Sequence, residues 1–226
     1  MKKVLLLLLS LCLICSMIGC NKGDADSEPN NGTTLSATEW EAMLSDDVFS
    51  NYTVVIEGQM SVTENGVSDG QGKENLKETI KVTNDRFSIE AFIGDEPLDA
   101  IVLDGEIAAV QKEQTSQLFL AMLSKYDAYS YDKASDTYKI SEPITIETTM
   151  KGMEIGDTGV ITTFDVPTVI EMRNAEAKVS DNGRIVSFVC DYSQSMTTNG
   201  KTVVTSGLTT WTFSNFGTTV IESPAN

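Results

Sequence analysis

The sequence predicts an α+β domain: one large, strongly curved antiparallel sheet with a few covering helices. Three observations carry this expectation. Segments of alternating apolar and polar residues recur along the chain, Gly- and Asn-containing turn signals separate them, and only two stretches have helical periodicity. Hairpin following hairpin pairs strands antiparallel, and so few helices can cover only part of such a sheet.

The first nineteen residues form a unit of their own. Met1, Lys2 and Lys3 precede an apolar run from Val4 to Ile18 that only Ser10 and Ser16 interrupt, the charged and apolar regions of an export signal. Fifteen helical residues reach roughly 22 Å, less than the roughly 30 Å of a bilayer core, so the segment is expected to be cleaved rather than to span. Met17-Ile18-Gly19-Cys20 resembles the bacterial lipobox, with Met17 where Leu is usual. That resemblance implies a diacylglycerol thioether on Cys20 and cleavage before it, leaving several acyl chains as a stable membrane anchor. Residues 1–19 are therefore expected to be a cleaved lipoprotein signal, 20–35 the lipidated cysteine and a disordered acidic tether, and 36–226 one domain. Asp24, Asp26 and Glu28 in the tether lack the later glycine and terminal glutamate of an EF-hand loop, so they are expected to be solvated.

Loss of the first nineteen residues removes Lys2 and Lys3 and no acid, taking the formal charge from −17 to −19. Such a surface repels phosphate, which excludes nucleic acid as a partner and leaves the lipid to hold the protein at its membrane. Of four cysteines, Cys12 and Cys15 leave with the signal and Cys20 carries lipid. Cys190 is left without a disulfide partner and is expected to be a core thiol.

Within the domain, Ser36-Ala37-Thr38-Glu39 is a capping box that opens a short amphipathic helix with Trp40, Met43 and Leu44 on one face. Tyr52, Val54, Ile56 and Met60 then alternate with polar residues, as do Leu76, Ile80 and Val82, and Phe87 and Ile89, giving three half-buried strands. Glu64-Asn65-Gly66 starts a long Gly-rich loop, and Asn84-Asp85, Asp104-Gly105, Asp181-Asn182-Gly183 and Asn199-Gly200 are read as turns between strands. Leu118, Phe119, Met122 and Leu123 place a second helix over 115–126. The last third returns to strands over 169–179, 184–196, 202–213 and 218–221, long enough to curve strongly.

This order of parts, with Phe49-Ser-Asn-Tyr-Thr-Val-Val-Ile-Glu-Gly58, Tyr129-Ser-Tyr-Asp-Lys-Ala-Ser-Asp-Thr-Tyr138 and Phe213-Ser-Asn-Phe-Gly-Thr-Thr-Val-Ile-Glu-Ser-Pro224, resembles the LolA-like superfamily of envelope lipoproteins, including the LppX and LprG type. The resemblance implies a half-barrel whose concave side, lidded by helices, holds a lipid or other apolar ligand, with no cofactor or metal. Strand phase then nominates Val54, Ile56, Ile80, Val82, Phe87, Ile89, Leu118, Phe119, Met122, Leu123, Met172 and Phe188 as lining residues. The helix at 118–123 and the loop 64–75 are the expected lids, and the expected location is the extracytoplasmic face of a Gram-positive cell membrane.

With no histidine in the chain, Ser-His-Asp and Cys-His catalysis and the common zinc sites are excluded, and no enzymatic activity is expected. Asp46, Asp47, Asp95, Glu96 and Glu171 could supply a glycosidase-like pair only if folding brought two of them together. Tyr126, Tyr129, Tyr131 and Tyr138 could line a ligand mouth or pack across a hairpin, and Met60, Met122, Met150, Met153, Met172 and Met196 could suit acyl chains or fill a core. The alternative function is a non-enzymatic scaffold contacting a protein or glycan, and a filled core is what distinguishes it. A carrier instead needs an apolar void of several hundred Å³.

Overall fold

A computed structural model describes residues 34–222 apart from 46, 69–72, 156–160 and 199. The signal, Cys20 and almost all of the tether lie outside the described residues, as does the middle of the loop 64–75.

The capping box forms as its sequence directs. The Glu39 backbone N–H donates to the Ser36 hydroxyl (3.3 Å), the Ser36 N–H donates to the Glu39 carboxylate (2.7 Å), and α1 runs Ala37–Met43 with Trp40 and Met43 buried. The serine bonding holds the Glu39 carboxyl below its ordinary pKa. Leu35, expected in the tether, is instead packed and held at both ends: its N–H donates to the Tyr138 hydroxyl (2.6 Å), and its carbonyl accepts from Tyr126 (2.7 Å). Its apolar side chain has a buried slot to fill, so the packed domain takes in one residue more than charge and polarity alone implied.

Every strand among the described residues joins one antiparallel sheet. Its main path runs β4 (Arg86–Ile93), β3 (Glu74–Val82), β1 (Tyr52–Glu64), β12 (Lys201–Ser214), β11 (Ile185–Thr198) and β10 (Ile161–Val179). β2 (Val67–Ser68) folds back on β1. At one rim, β5 (Glu96–Pro97) and β6 (Ile101–Asp104) pair with β4. At the other, β10 carries β8 (Thr137–Ile140), with β7 (Tyr129–Asp132) beyond it, on its C-terminal part, and β9 (Ile144–Ile155) on its N-terminal part. The sheet is open. The α+β expectation of one large curved sheet with few helices is what the chain forms.

Two features mark the curvature. Gly58 and Gly207 sit where β1 and β12 approach so closely that a Cβ on Gly58 would strike the Leu208 carbonyl oxygen and one on Gly207 the Gln59 carbonyl oxygen. Farther along, the Gln194 amide donates to the Met150 sulfur at 3.2 Å. In a flat sheet those residues, two strands and four positions apart, would have Cα atoms roughly 16 Å apart. Their contact requires β9 to curl over the concave face.

The second helix, α2, is Gly105–Leu123, ten residues longer at its start than its apolar periodicity indicated. Asp104-Gly105, expected to turn between strands, leads β6 straight into this helix, with Gly105 at φ +65°. The final expected strand, 218–221, is not one. Asn215 (φ +55°) and Gly217 (φ +72°) turn the chain, and Thr219 is then held by Asn51, whose carboxamide oxygen accepts its N–H at 2.8 Å. β9 and the first half of β10 had no apolar signature, because threonine, glutamate and lysine fill their outer positions.

Candidate functional site: the helix-covered concave face

All twelve nominated residues face the concavity, all are buried, and all belong to one contiguous core. Their strand phase was legible. Around Phe119, aromatic side chains pack against one another within the concavity. Phe119 on α2 lies 4.6 Å from Phe49, 5.1 Å from Phe213 and 6.1 Å from Trp211, ring centre to ring centre, and Phe49 meets Tyr52 edge-on at 5.4 Å. These tilted and edge contacts are those of a solid aromatic core.

The tyrosine cluster has a structural task. Trp40 packs against Tyr126, Tyr129 and Tyr138 with centroids 5.7, 5.1 and 5.0 Å away, and Tyr131 pairs with Tyr138 across the β7–β8 hairpin at 5.1 Å. The Trp40 indole donates to the Leu123 carbonyl (2.8 Å) and the Tyr129 hydroxyl to that of Met122 (3.0 Å), satisfying carbonyls at the end of α2 that have no partner within the helix. The cluster thus fastens α1 and the end of α2 to the sheet. Burial raises the phenol pKa of Tyr52, Tyr129 and Tyr192, so all three stay neutral.

The underside of α2 is divided. Leu118, Phe119, Met122 and Leu123 form its apolar half; Gln111, Gln114, Thr115 and Ser116 form an equally buried polar half. Gln111 donates to Gln114 at 2.6 Å, and Ser116 lies 3.4 Å from the Tyr52 hydroxyl. The concave face of the sheet also holds a buried carboxylate, Glu78, whose charge adds to burial in raising the Tyr192 phenol. This buried polar half was not legible in the sequence, since polar residues in a helix ordinarily mark its solvent face.

The remaining candidates are dispersed. Met122, Met150, Met172 and Met196 are core residues and Met60 is half-buried. Asp47 precedes the 3-10 turn Val48–Ser50, Asp95 and Glu96 lie at the β4–β5 turn, and Glu171 on β10 stands exposed near Arg173 (3.9 Å). Strands β3, β1, β12 and β11 separate the second group from the third, while Asp46 lies outside the described residues. Cys190 is buried, and burial first, then the Asp191 charge, pushes its thiol up to about 12. Against an ordinary cysteine this leaves about a thousandfold less thiolate at pH 8. We therefore expect Cys190 to resist a disulfide reagent in the native protein and to react within seconds once denatured; rapid native labelling would show an opening that reaches β11.

On the convex face, a groove of about 440 Å³ crosses β3, β1 and β12 between Glu57, Gln59, Asn75, Lys77, Leu208 and Thr210. The Lys77–Glu57 ion pair (2.6 Å) spans it, and Leu208 is 54 % exposed. No helix among the described residues is long and apolar enough to cross a membrane. Fold and interior together define an open, helix-capped curved-sheet domain with one contiguous, aromatic-packed core among the described residues. The chain matches no protein-family model and no curated protein.

Proposed function

We propose that this protein is a non-enzymatic interaction scaffold, tethered to the extracytoplasmic face of a membrane by lipid on Cys20 and offering its sheet surface to a protein or glycan partner. The observation that carries this reading is the filled concavity: Phe119, Phe49, Phe213 and Trp211 occupy the volume an acyl chain would need. The convex groove with exposed Leu208 supports it as accessible surface. The lipobox resemblance and the acidic tether support the anchor.

A second reading, carriage of a lipid or other apolar ligand as the LolA-like resemblance implies, is favoured by the divided underside of α2. Lifting a helix whose inner face is half polar exposes less apolar surface than lifting a fully apolar one, and the cavity so opened would suit a ligand with an apolar tail and a polar head. Titration of the full chain with a fluorescent fatty acid separates the two. The scaffold reading expects no saturable signal at micromolar ligand; one-to-one saturation would establish the carrier.

A further inference from the structure

We propose that two copies of this protein associate through the outer edge of β9, the two β9 strands pairing antiparallel about a two-fold axis at Thr149. On its inner side β9 pairs with β10 in an unbroken register of twelve residues, Ile144 to Ile155, without a bulge. On its outer side, among the described residues, no strand pairs with it. The opposite rim is treated differently, for β5 and β6 cover β4 there. Over about 40 Å, β9 thus presents backbone donors and acceptors with no proline and no register break, devices that usually blunt a sheet edge.

The sequence of β9 selects a second copy as the occupant. Thr145, Glu147 and Thr149 are exposed and Lys151 shares their phase, while Ile146 and Met150 are buried in the concave face. Self-pairing that keeps like faces together must pair positions of the same parity. Centred on Thr149, it sets Glu147 opposite Lys151 of the other copy, and Lys151 opposite Glu147, so one register makes two cross-strand ion pairs. Centring on Lys151 sets two lysines directly opposite, and centring on Met150 leaves Glu147 facing Met153. Thr149 is therefore the register in which the charges of β9 complement themselves, and the two curved sheets become continuous. This association is independent of whether the interior carries a ligand.

The test is cysteine crosslinking of the full chain in the membranes of the producing bacterium, read on a non-reducing gel after mild oxidation. Thr149→Cys places the new thiols face to face on the axis and is expected to give a covalent dimer in more than half of the protein. Thr145→Cys, whose copies are separated by eight residues of strand in this register, is expected to stay monomeric, as is the parent chain. Adding Lys151→Glu to Thr149→Cys should lower the dimer about tenfold, and adding Glu147→Lys as well should restore it. Thr145, Glu147 and Thr149 are exposed positions, and far-UV circular dichroism confirms that each of the four cysteine-bearing variants is folded. Absence of a Thr149→Cys dimer, equal crosslinking at position 145, or a crosslinked product with the mass of a different protein would overturn the proposal.

Discussion

Replacing Phe119 by alanine is expected to destabilise the protein by about 3–5 kcal/mol, lowering Tm by on the order of 10 °C. Phe119 is the point at which α2 meets the sheet, fully buried and in ring contact with Phe49, Tyr52, Trp211 and Phe213. Removing its ring leaves a cavity whose walls are held by β1, β12 and the Val48–Ser50 turn and cannot collapse into it, so the transfer loss and the cavity penalty add. Val220→Ala, at a position 72 % exposed, should move stability by no more than about 0.5 kcal/mol and serves as the control. Thermal unfolding followed by circular dichroism reads both. A Phe119→Ala loss below about 1 kcal/mol would mean that the ring borders empty space, as it would in a ligand carrier.

Gly207→Ala is expected to cost about 3 kcal/mol, at the upper end for a single added methyl, because the group it meets is backbone. The new Cβ would strike the Gln59 carbonyl oxygen and press on the Met60 Cα at 3.0 Å, so β1 and β12 would have to part along the middle of the sheet. Neither strand can yield by rotating a side chain. Urea denaturation should show a reduced midpoint, and the β1–β12 amides should exchange faster with deuterium. A Gly207→Ala protein as stable as the parent would show that the sheet does not need this close approach, and with it the curvature that wraps the core.

Much of this was legible in the sequence where the signal was local. The Ser36–Glu39 capping box and the alternation of Tyr52, Val54 and Ile56 depend only on neighbours along the chain, and both formed as read. The face of the eight strand residues among the twelve was legible for the same reason, since phase along a strand fixes side, and helical spacing did the same for the four on α2. What escaped depends on contacts between distant segments. The buried polar half of α2, with Gln111 and Gln114, was not read at all, because only its packing against the sheet makes it an inner face. β9 had no apolar run to announce it, because it is half-buried and its outer positions are threonine and charge. Whether the concavity holds a ligand or side chains could not be read from phase, since a core and a pocket present the same apolar face. It is decided by volumes arriving from α1, α2, and Phe49 in the turn before β1.

The central claim is that the concave interior is solid. Native mass spectrometry, with organic extraction of the protein from the membrane of its own host, tests it most directly. The account predicts a single protein mass with no lipid beyond the covalent one proposed on Cys20, and an extract with no lipid in stoichiometric amount. One equivalent of non-covalent phospholipid, glycolipid or fatty acid per chain would contradict it and place that ligand beneath α2.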